Sequence, residues 1–355
     1  MKELKLMKGN EALAEAAIRY GCDAYFGYPI TPQSEVMEYL MRENPVTTTG
    51  MVVLQAESEV AAINMLYGAG GAGKRVLTSS SSPGISLMQE GLSYIAGAEI
   101  PCLVANINRG GPGLGTIQPS QGDYFQAVKG GGHGDYHLIV LAPSSVQEMA
   151  DFVGTGLDLA FKYRMPVMIL SDGAIGQMME KVELQASIPR RTTTESWATV
   201  GKPKNRERNY LTSLYIQPEK MWEINQHLSA KYKKIEENET RLEKKMCDDA
   251  DYLIVAYGLS ARISQKAANL ARETGHKVGV LRPITLWPFP HAEINKLADQ
   301  VKGVLVIEMN MGQMVEDVRL AVNGKKPVEF FGKAGGMIPS PDDVLHALEK
   351  LIIGG

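Results

Sequence analysis

The chain has 355 residues, 44% of them hydrophobic and 22% charged, the composition of a soluble globular protein with room for two α/β domains. Its net charge of -3 gives no electrostatic reason to expect nucleic acid or an anionic membrane as a partner. No apolar run reaches the ~20 residues of a membrane span, and the opening MKELKLMKGNEA lacks the apolar core of a signal peptide, so a cytoplasmic protein is expected.

Residues 9–185 alternate helical and strand patterns. Asn10 reads as the cap of a helix with Leu13, Ala16, Ala17 and Tyr20 on its apolar face and Gly21 at its end. The strand-like run CDAYFGYPI then meets a Thr-Pro pair. Local rules make Thr31 a helix cap and Pro32 the first helical residue, with QSEVMEYLM carrying the helix onward. A helix start at a strand's carboxyl end also offers free N–H groups to an anion. Further strand-like runs are MVVLQA, RVLTSS, CLVANI, HLIVLA and PVMILSDG, separated by helical segments such as SVQEMADFVGTGLDLAFKY. This alternation predicts a doubly wound parallel sheet covered by helices on both faces. Cys22 and Cys102 fall in apolar runs and are expected to be buried and inert. With Cys247 far away and no CxxC pair, this chain alone cannot ligate an iron–sulfur cluster or a thiolate zinc.

Composition shifts near residue 186 to a polar stretch without a period. Pro218 then opens a charged helix read through to Met246, with Met221, Leu228, Ile235 and Leu242 recurring every seventh residue. A helix lying on its own domains is favoured over a coiled coil, because the second apolar position of each heptad is mostly polar. From Asp249 the βα pattern resumes with DYLIVAYG, SARISQKAANLARETG, KVGVLRP and GVLVIEMN. The expected organisation is a domain over 1–185, a polar connector over 186–248 and a smaller α/β domain over 249–355.

Two glycine motifs differ in worth. GAGGAG at 68–73 spells a dinucleotide fingerprint, but it follows a helix and precedes a strand, the reverse of what phosphate binding needs. Its glycines are read as closing a helix. NRGGPGLG at 108–115 follows a strand, which puts Arg109 at the sheet edge where ligands sit, suited to a carboxylate or phosphate as well as to a plain solvated loop. Glu59 falls in the first turn of a helix after a strand, with Ser58 as its cap. Acids there commonly answer the helix dipole. SDG around Asp172 reads as a strand end with a turn, and His133 as a surface-loop histidine.

The segments GNEALAEAAIRYGCDAYFGYPITPQSE, QAESEVAAINMLYGAGGAG, SSSSPGISLMQEGLSYIAGAEIPC, NRGGPGLGTIQPSQGDYFQAVKGGGHGDYHLIVLAPSSVQEM and MNMGQM resemble the 2-oxoacid:ferredoxin oxidoreductases, and within them the branched-chain (2-oxoisovalerate, 3-methyl-2-oxobutanoate) subgroup. The resemblance implies a pyrimidine-type thiamine diphosphate domain over 1–185 and a domain like the C-terminal one of transketolases over 249–355. It implies that Glu59 is the acid that activates the cofactor by hydrogen-bonding its aminopyrimidine ring. Tyr28, Pro29 and Ile30 of the Tyr-Pro-Ile-Thr-Pro signature would also contact the cofactor, while Thr31 and Arg109 would contact the 2-oxoacid. No metal ligand is expected here, because the first glycine of Gly-Asp-Gly and its following Asn are missing around Asp172. A partner subunit with that motif would hold the diphosphate and Mg2+. A gamma-type subunit, an iron–sulfur ferredoxin-like subunit carrying the clusters, and ferredoxin would complete the system, with no nucleic acid or membrane involved. The implied reaction is CoA-dependent oxidative decarboxylation of a 2-oxoacid to acyl-CoA. Alternatives are a 2-oxoglutarate or pyruvate enzyme, or a non-catalytic scaffolding subunit.

Overall fold

The computed structural model describes residues 3–202 and 204–354. In the first half, β1 (Glu3–Lys8) and α1 (Gly9–Arg19) lead to β2 (Ala24–Gly27), α2 (Ser34–Glu43), the single turn α3 (Pro45–Thr48) and β3 (Val52–Gln55). There follow α4 (Glu59–Gly71), β4 (Val76–Ser80), α5 (Ser82–Gly97), β5 (Cys102–Asn108), β6 (Ile139–Leu141), α6 (Val146–Tyr163), β7 (Pro166–Asp172), α7 (Gly173–Gln177) and β8 (Met179–Leu184). Beyond the connector come α8 (Pro218–Glu239), β9 (Leu242–Lys245), β10 (Tyr252–Ala256), α9 (Gly258–Glu273), β11 (Val278–Pro283) and β12 (Thr285–Trp287). The chain closes with α10 (His291–Gln300), β13 (Gly303–Glu308), α11 (Met314–Val322), β14 (Val328–Gly332) and α12 (Pro341–Gly354).

The larger sheet has the order β12-β6-β7-β5-β4-β2-β3 and is parallel except for β12. Strands buried on both faces read as unbroken apolar runs, which is why CLVANIN and PVMILSD stand out in the sequence and are buried throughout. Helices α1, α2 and α6 pack together on one face, and α4 and α5 on the other. From β2 the chain moves outward to β3, then returns across β2 to β4 and continues to β5. The carboxyl ends of β2 and β4 therefore flank the point where strand order reverses, the place where open α/β sheets bind ligands.

The second sheet has the order β14-β13-β10-β11-β9, parallel except for β9, with α9 and α12 packed together and α10 against α11. Strand β12 leaves this half of the chain to extend the larger sheet, pairing antiparallel with β6. Buried Glu308 at the end of β13 accepts hydrogen bonds from the N–H groups of Gln313, Met314 and Val315, at 3.2, 2.9 and 3.0 Å. It thereby caps α11 and ties down the MNMGQM turn.

Two local expectations change. Asn10 is a buried residue inside α1, not its cap, because its amide turns inward to Pro32 O (2.7 Å) and Glu35 Oε2 (3.0 Å). The long helix stops at Glu239, and Leu242 lies on β9 opposite Pro283. The stripe that remains does lie on the protein's own surface, with Leu228, Tyr232 and Ile235 buried. The glycines at 68–73 close α4 at Gly71, and Gly73 turns the chain at φ +77. A side chain on Gly70 would come within 2.7 Å of Ile100 Cγ2. Cys22 and Cys102 are buried, and burial pushes the Cys22 thiol up to about 12. No helix among the described residues is long and apolar enough to cross a membrane.

Candidate functional site

At the end of β2 the chain turns outward through half-buried Tyr28, exposed Pro29, half-buried Ile30 and exposed Thr31. Gln33, fully buried, governs this turn. Its backbone N–H donates to Ile30 O at 3.0 Å, and its Nε2 donates to Tyr28 O at 3.0 Å. Its Oε1 accepts from Ser79 Oγ at 2.6 Å. With the Ser79 proton used there, the Tyr25 hydroxyl donates to Ser79 Oγ at 2.7 Å. The helix consequently starts at Ser34 with Gln33 as N-cap, making no side-chain cap bond. Thr31 is thus not a cap and Pro32 is not the first helical residue. Both belong to the turn, and the Thr31 hydroxyl makes no hydrogen bond among the described residues.

Glu59 is the first residue of α4, and Ser58 caps that helix by accepting from Ala61 N at 3.1 Å. Although only 6% exposed, the Glu59 carboxylate has no hydrogen-bond donor among the described residues. Its neighbour is the start of α5. A Cβ placed on Gly84 would lie 2.5 Å from Glu59 Oε1 and 2.1 Å from Ser80 Oγ. A side chain there would collide with both the Ser80 hydroxyl and the acid, so one of them would have to move. Glu57, two residues earlier, is exposed.

Arg109 follows directly on β5. Its Nη1 donates to Thr31 O and its Nη2 to Leu114 O, each at 3.0 Å. The structure thus joins two residues that lie far apart in sequence and that were singled out separately. Arg109 and Glu59 meet the first turn of α5 two residues apart. Ser82 Oγ accepts from Arg109 N at 3.0 Å, while Gly84 faces Glu59.

Sequence reasoning missed the polar floor beneath these groups. Asp123 accepts from Ser82 Oγ at 2.6 Å and from Asn106 Nδ2 at 2.9 Å. Burial pushes its carboxyl up, against the lowering effect of those two bonds. Ser80 Oγ, Ser81 Oγ, Asn106 Oδ1, Asn108 Nδ2 and Ser171 Oγ are buried here without partners. So many unsatisfied polar atoms at the ends of β4, β5 and β7 mark a surface built to meet polar ligand atoms or water. The signal available in the sequence was SSSSPG and NINRG placed at strand ends, which conventional turn chemistry explains equally well.

Asp172 does end β7, as expected, and caps α7 by accepting from Ala174 N (2.8 Å) and Ile175 N (3.1 Å). His133 lies in an exposed loop, its ring edge-on to Tyr94.

The protein is thus of the open α/β class, with an unpaired buried acid and a braced arginine at the carboxyl ends of its strands, the edge where such sheets bind ligands. The model of the family described as pyruvate flavodoxin/ferredoxin oxidoreductase, thiamine diphosphate-binding, matches residues 15–244, and pyruvate:ferredoxin oxidoreductase core domain II matches residues 250–344. The chain is 48% identical over 349 residues to ketoisovalerate oxidoreductase subunit VorB of Methanothermobacter thermautotrophicus, covering 98% of this chain and 97% of that one. It is 35% identical to 2-oxoglutarate synthase subunit KorA of Methanothermobacter marburgensis, over 98% of this chain and 99% of that one. A solved structure of 2-oxoglutarate:ferredoxin oxidoreductase from Magnetococcus marinus, with 2-oxoglutarate, coenzyme A and succinyl-CoA bound, superposes with a TM-score of 0.88 at 29% identity. That match covers 99% of this chain, which spans 66% of the length of the other. The chain therefore belongs to the 2-oxoacid (pyruvate) ferredoxin/flavodoxin oxidoreductase family, with the pyrimidine-type thiamine diphosphate fold.

Proposed function

We propose that this chain is the pyrimidine-binding subunit of a cytoplasmic 2-oxoacid:ferredoxin oxidoreductase acting on a branched-chain substrate, 2-oxoisovalerate. With coenzyme A the reaction gives acyl-CoA, carbon dioxide and reduced ferredoxin. The observation that carries the reading is the buried, unpaired Glu59 carboxylate beside Gly84, with Arg109 braced on Thr31 at the neighbouring strand ends. Its 48% identity to a ketoisovalerate subunit, against 35% to a 2-oxoglutarate subunit, favours the branched-chain substrate.

The residues present fit thiamine diphosphate. A largely buried carboxylate without a protein donor, at the start of α4, suits a ring nitrogen that shares its proton. When bound, the cofactor supplies a nucleophilic thiazolium carbon. Glu59 holds and returns the proton at its carboxylate, and a partner subunit closing the crevice would keep water from competing for that proton. Tyr28, Pro29 and Ile30 would pack against the pyrimidine end. The Thr31 hydroxyl and the free N–H groups of Arg109 would orient the oxoacid carboxylate and keto oxygen.

Diphosphate, Mg2+ and iron–sulfur clusters belong on partner subunits in this reading. The outer faces of α4 and α5 expose Val60, Met65, Leu87 and Tyr94. A partner carrying the Gly-Asp-Gly motif would cover this apolar surface and close the crevice over Glu59. The test is to produce the chain with its partner subunits and follow CoA-dependent viologen reduction with 2-oxoisovalerate, pyruvate and 2-oxoglutarate. Preference for 2-oxoisovalerate is expected. Preference for 2-oxoglutarate overturns the substrate assignment, and no CoA-dependent reduction with any of the three overturns the reaction.

A further inference from the structure

The geometry around Ser82 points to a role for a residue that touches neither cofactor nor substrate in the reading above. Ser82 Oγ lies 2.6 Å from Asp123 Oδ2, 3.1 Å from Arg109 O and 3.3 Å from Asn108 Oδ1, and it accepts from Arg109 N at 3.0 Å. A hydroxyl has one proton to give. The shortest of the three contacts, and the one to a carboxylate, takes it. The oxygen lone pairs are then free to hold the Arg109 N–H. Asn106 Nδ2, on β5 itself three residues before Arg109, braces the same Asp123 oxygen at 2.9 Å. Asp123 thus sets the direction of the Ser82 hydroxyl, and Ser82 sets the main chain of Arg109 where β5 ends.

We propose that Asp123, acting through Ser82, is a positioning residue for substrate binding, fixing the Arg109 backbone so that its guanidinium meets the 2-oxoacid carboxylate in one orientation. The inference rests on the assignment of Arg109 to the substrate. The guanidinium is already braced at Thr31 O and Leu114 O. Its remaining freedom is therefore the placement of its own Cα, which the Ser82 bond controls. The loop that carries Leu114 is closed by Gly110 N to Gln118 O at 3.0 Å and Thr116 N to Gly110 O at 2.8 Å. A shift at residue 109 moves this loop and the arginine together.

The test uses the complex assembled with its partner subunits and loaded with thiamine diphosphate. Ser82→Ala and Asp123→Ala should each raise the 2-oxoisovalerate KM by ~tenfold, the size of one lost charge-assisted hydrogen bond, with the CoA KM and thiamine diphosphate content unchanged. Ser82→Thr, which keeps the hydroxyl, and Asp123→Asn, whose amide oxygen can accept both bonds, should restore most of the loss. A merely structural role would lower kcat and disturb CoA and oxoacid alike, and that result overturns the proposal. So does an unchanged oxoacid KM in Ser82→Ala or Asp123→Ala. Arg109→Ala in the same assay separates the two layers. If it raises the KM while the Ser82 and Asp123 variants do not, only the positioning role fails. If Arg109→Ala leaves the KM unchanged, the substrate assignment of Arg109 fails with it.

Discussion

Arg109 reaches Thr31 through the threonine's main-chain oxygen, at 3.0 Å from Nη1, which leaves the Thr31 hydroxyl uncommitted. Because helix α2 begins at Ser34, removing that hydroxyl takes no cap from the helix. Thr31→Ala should therefore change stability by less than ~0.5 kcal/mol, the usual range for an exposed substitution, whereas a lost cap would cost ~1 kcal/mol. In the assembled enzyme the same variant should raise the oxoacid KM or lower kcat. Thermal melts read beside steady-state kinetics check both halves, and a destabilised variant with normal kinetics would reverse this interpretation.

Glu59 combines burial with the absence of a donor among the described residues. An acid kept for stability would be paired; one kept for a ligand need not be. Glu59→Gln preserves the shape, so the complex should fold, retain thiamine diphosphate and lose turnover by ~10²–10⁴-fold. A scaffolding subunit would lose nothing. Cofactor content and turnover measured on one preparation decide between these readings.

The parts of the fold legible in the sequence are those whose burial is complete. Strands β5 and β7 are buried at every residue and announce themselves as apolar runs. Strands β1, β8, β9 and β14 are short or lie at sheet edges with mixed polar residues, and they left no such trace. Strand β12 pairs with β6, far back in the chain, a placement no local pattern encodes. The same division runs through the site. The helix-start position of Glu59 fits a dipole-answering acid equally well, and only the family resemblance gave it a role. Arg109 could be singled out because a strand end is a local feature. Gln33 could not, because its role comes from Ser79, and Asp123 could not, because its partners Ser82 and Asn106 reach it only through the folded sheet. The mistaken reading of Thr31 as a cap has this origin. Local rules see Thr-Pro before a helix, while Ser79 fixes Gln33 and starts the helix later.

Gly84 is where the two sides of the site touch. A methyl group there would sit 2.1 Å from Ser80 Oγ, 2.5 Å from Glu59 Oε1 and 2.9 Å from Glu59 Cγ. Either the acid or the start of α5 must move. Gly84→Ala should destabilise the chain by ~1–3 kcal/mol through overpacking and weaken thiamine diphosphate binding by displacing Glu59. Denaturant titration measures the first effect and calorimetric cofactor titration of the complex the second. Unchanged cofactor affinity would separate Glu59 from the cofactor site.

Asp172 offers a test through pH. Desolvation raises its carboxyl to about 6, opposed by hydrogen bonds from the N–H groups of Ile175, Ala174 and Leu259. In the unfolded chain an aspartate titrates near ~3.9. Between the two values the native state binds the proton more firmly than the unfolded state, so this group's contribution to stability falls as pH rises through that window. Above it the folded protein carries a buried charge. Asp172→Asn keeps an oxygen to accept from Ala174 and Ile175 and removes the charge. Its stability relative to the natural protein should be near zero difference in acid, rise across the window and level off above it, by at most on the order of 3 kcal/mol. Asp172→Ala, which also loses the cap of α7, should fall below Asp172→Asn by ~1 kcal/mol at every pH. Denaturant midpoints across the pH range measure both differences. A difference between Asp172→Asn and the natural protein that does not change with pH would mean that Asp172 titrates alike in both states.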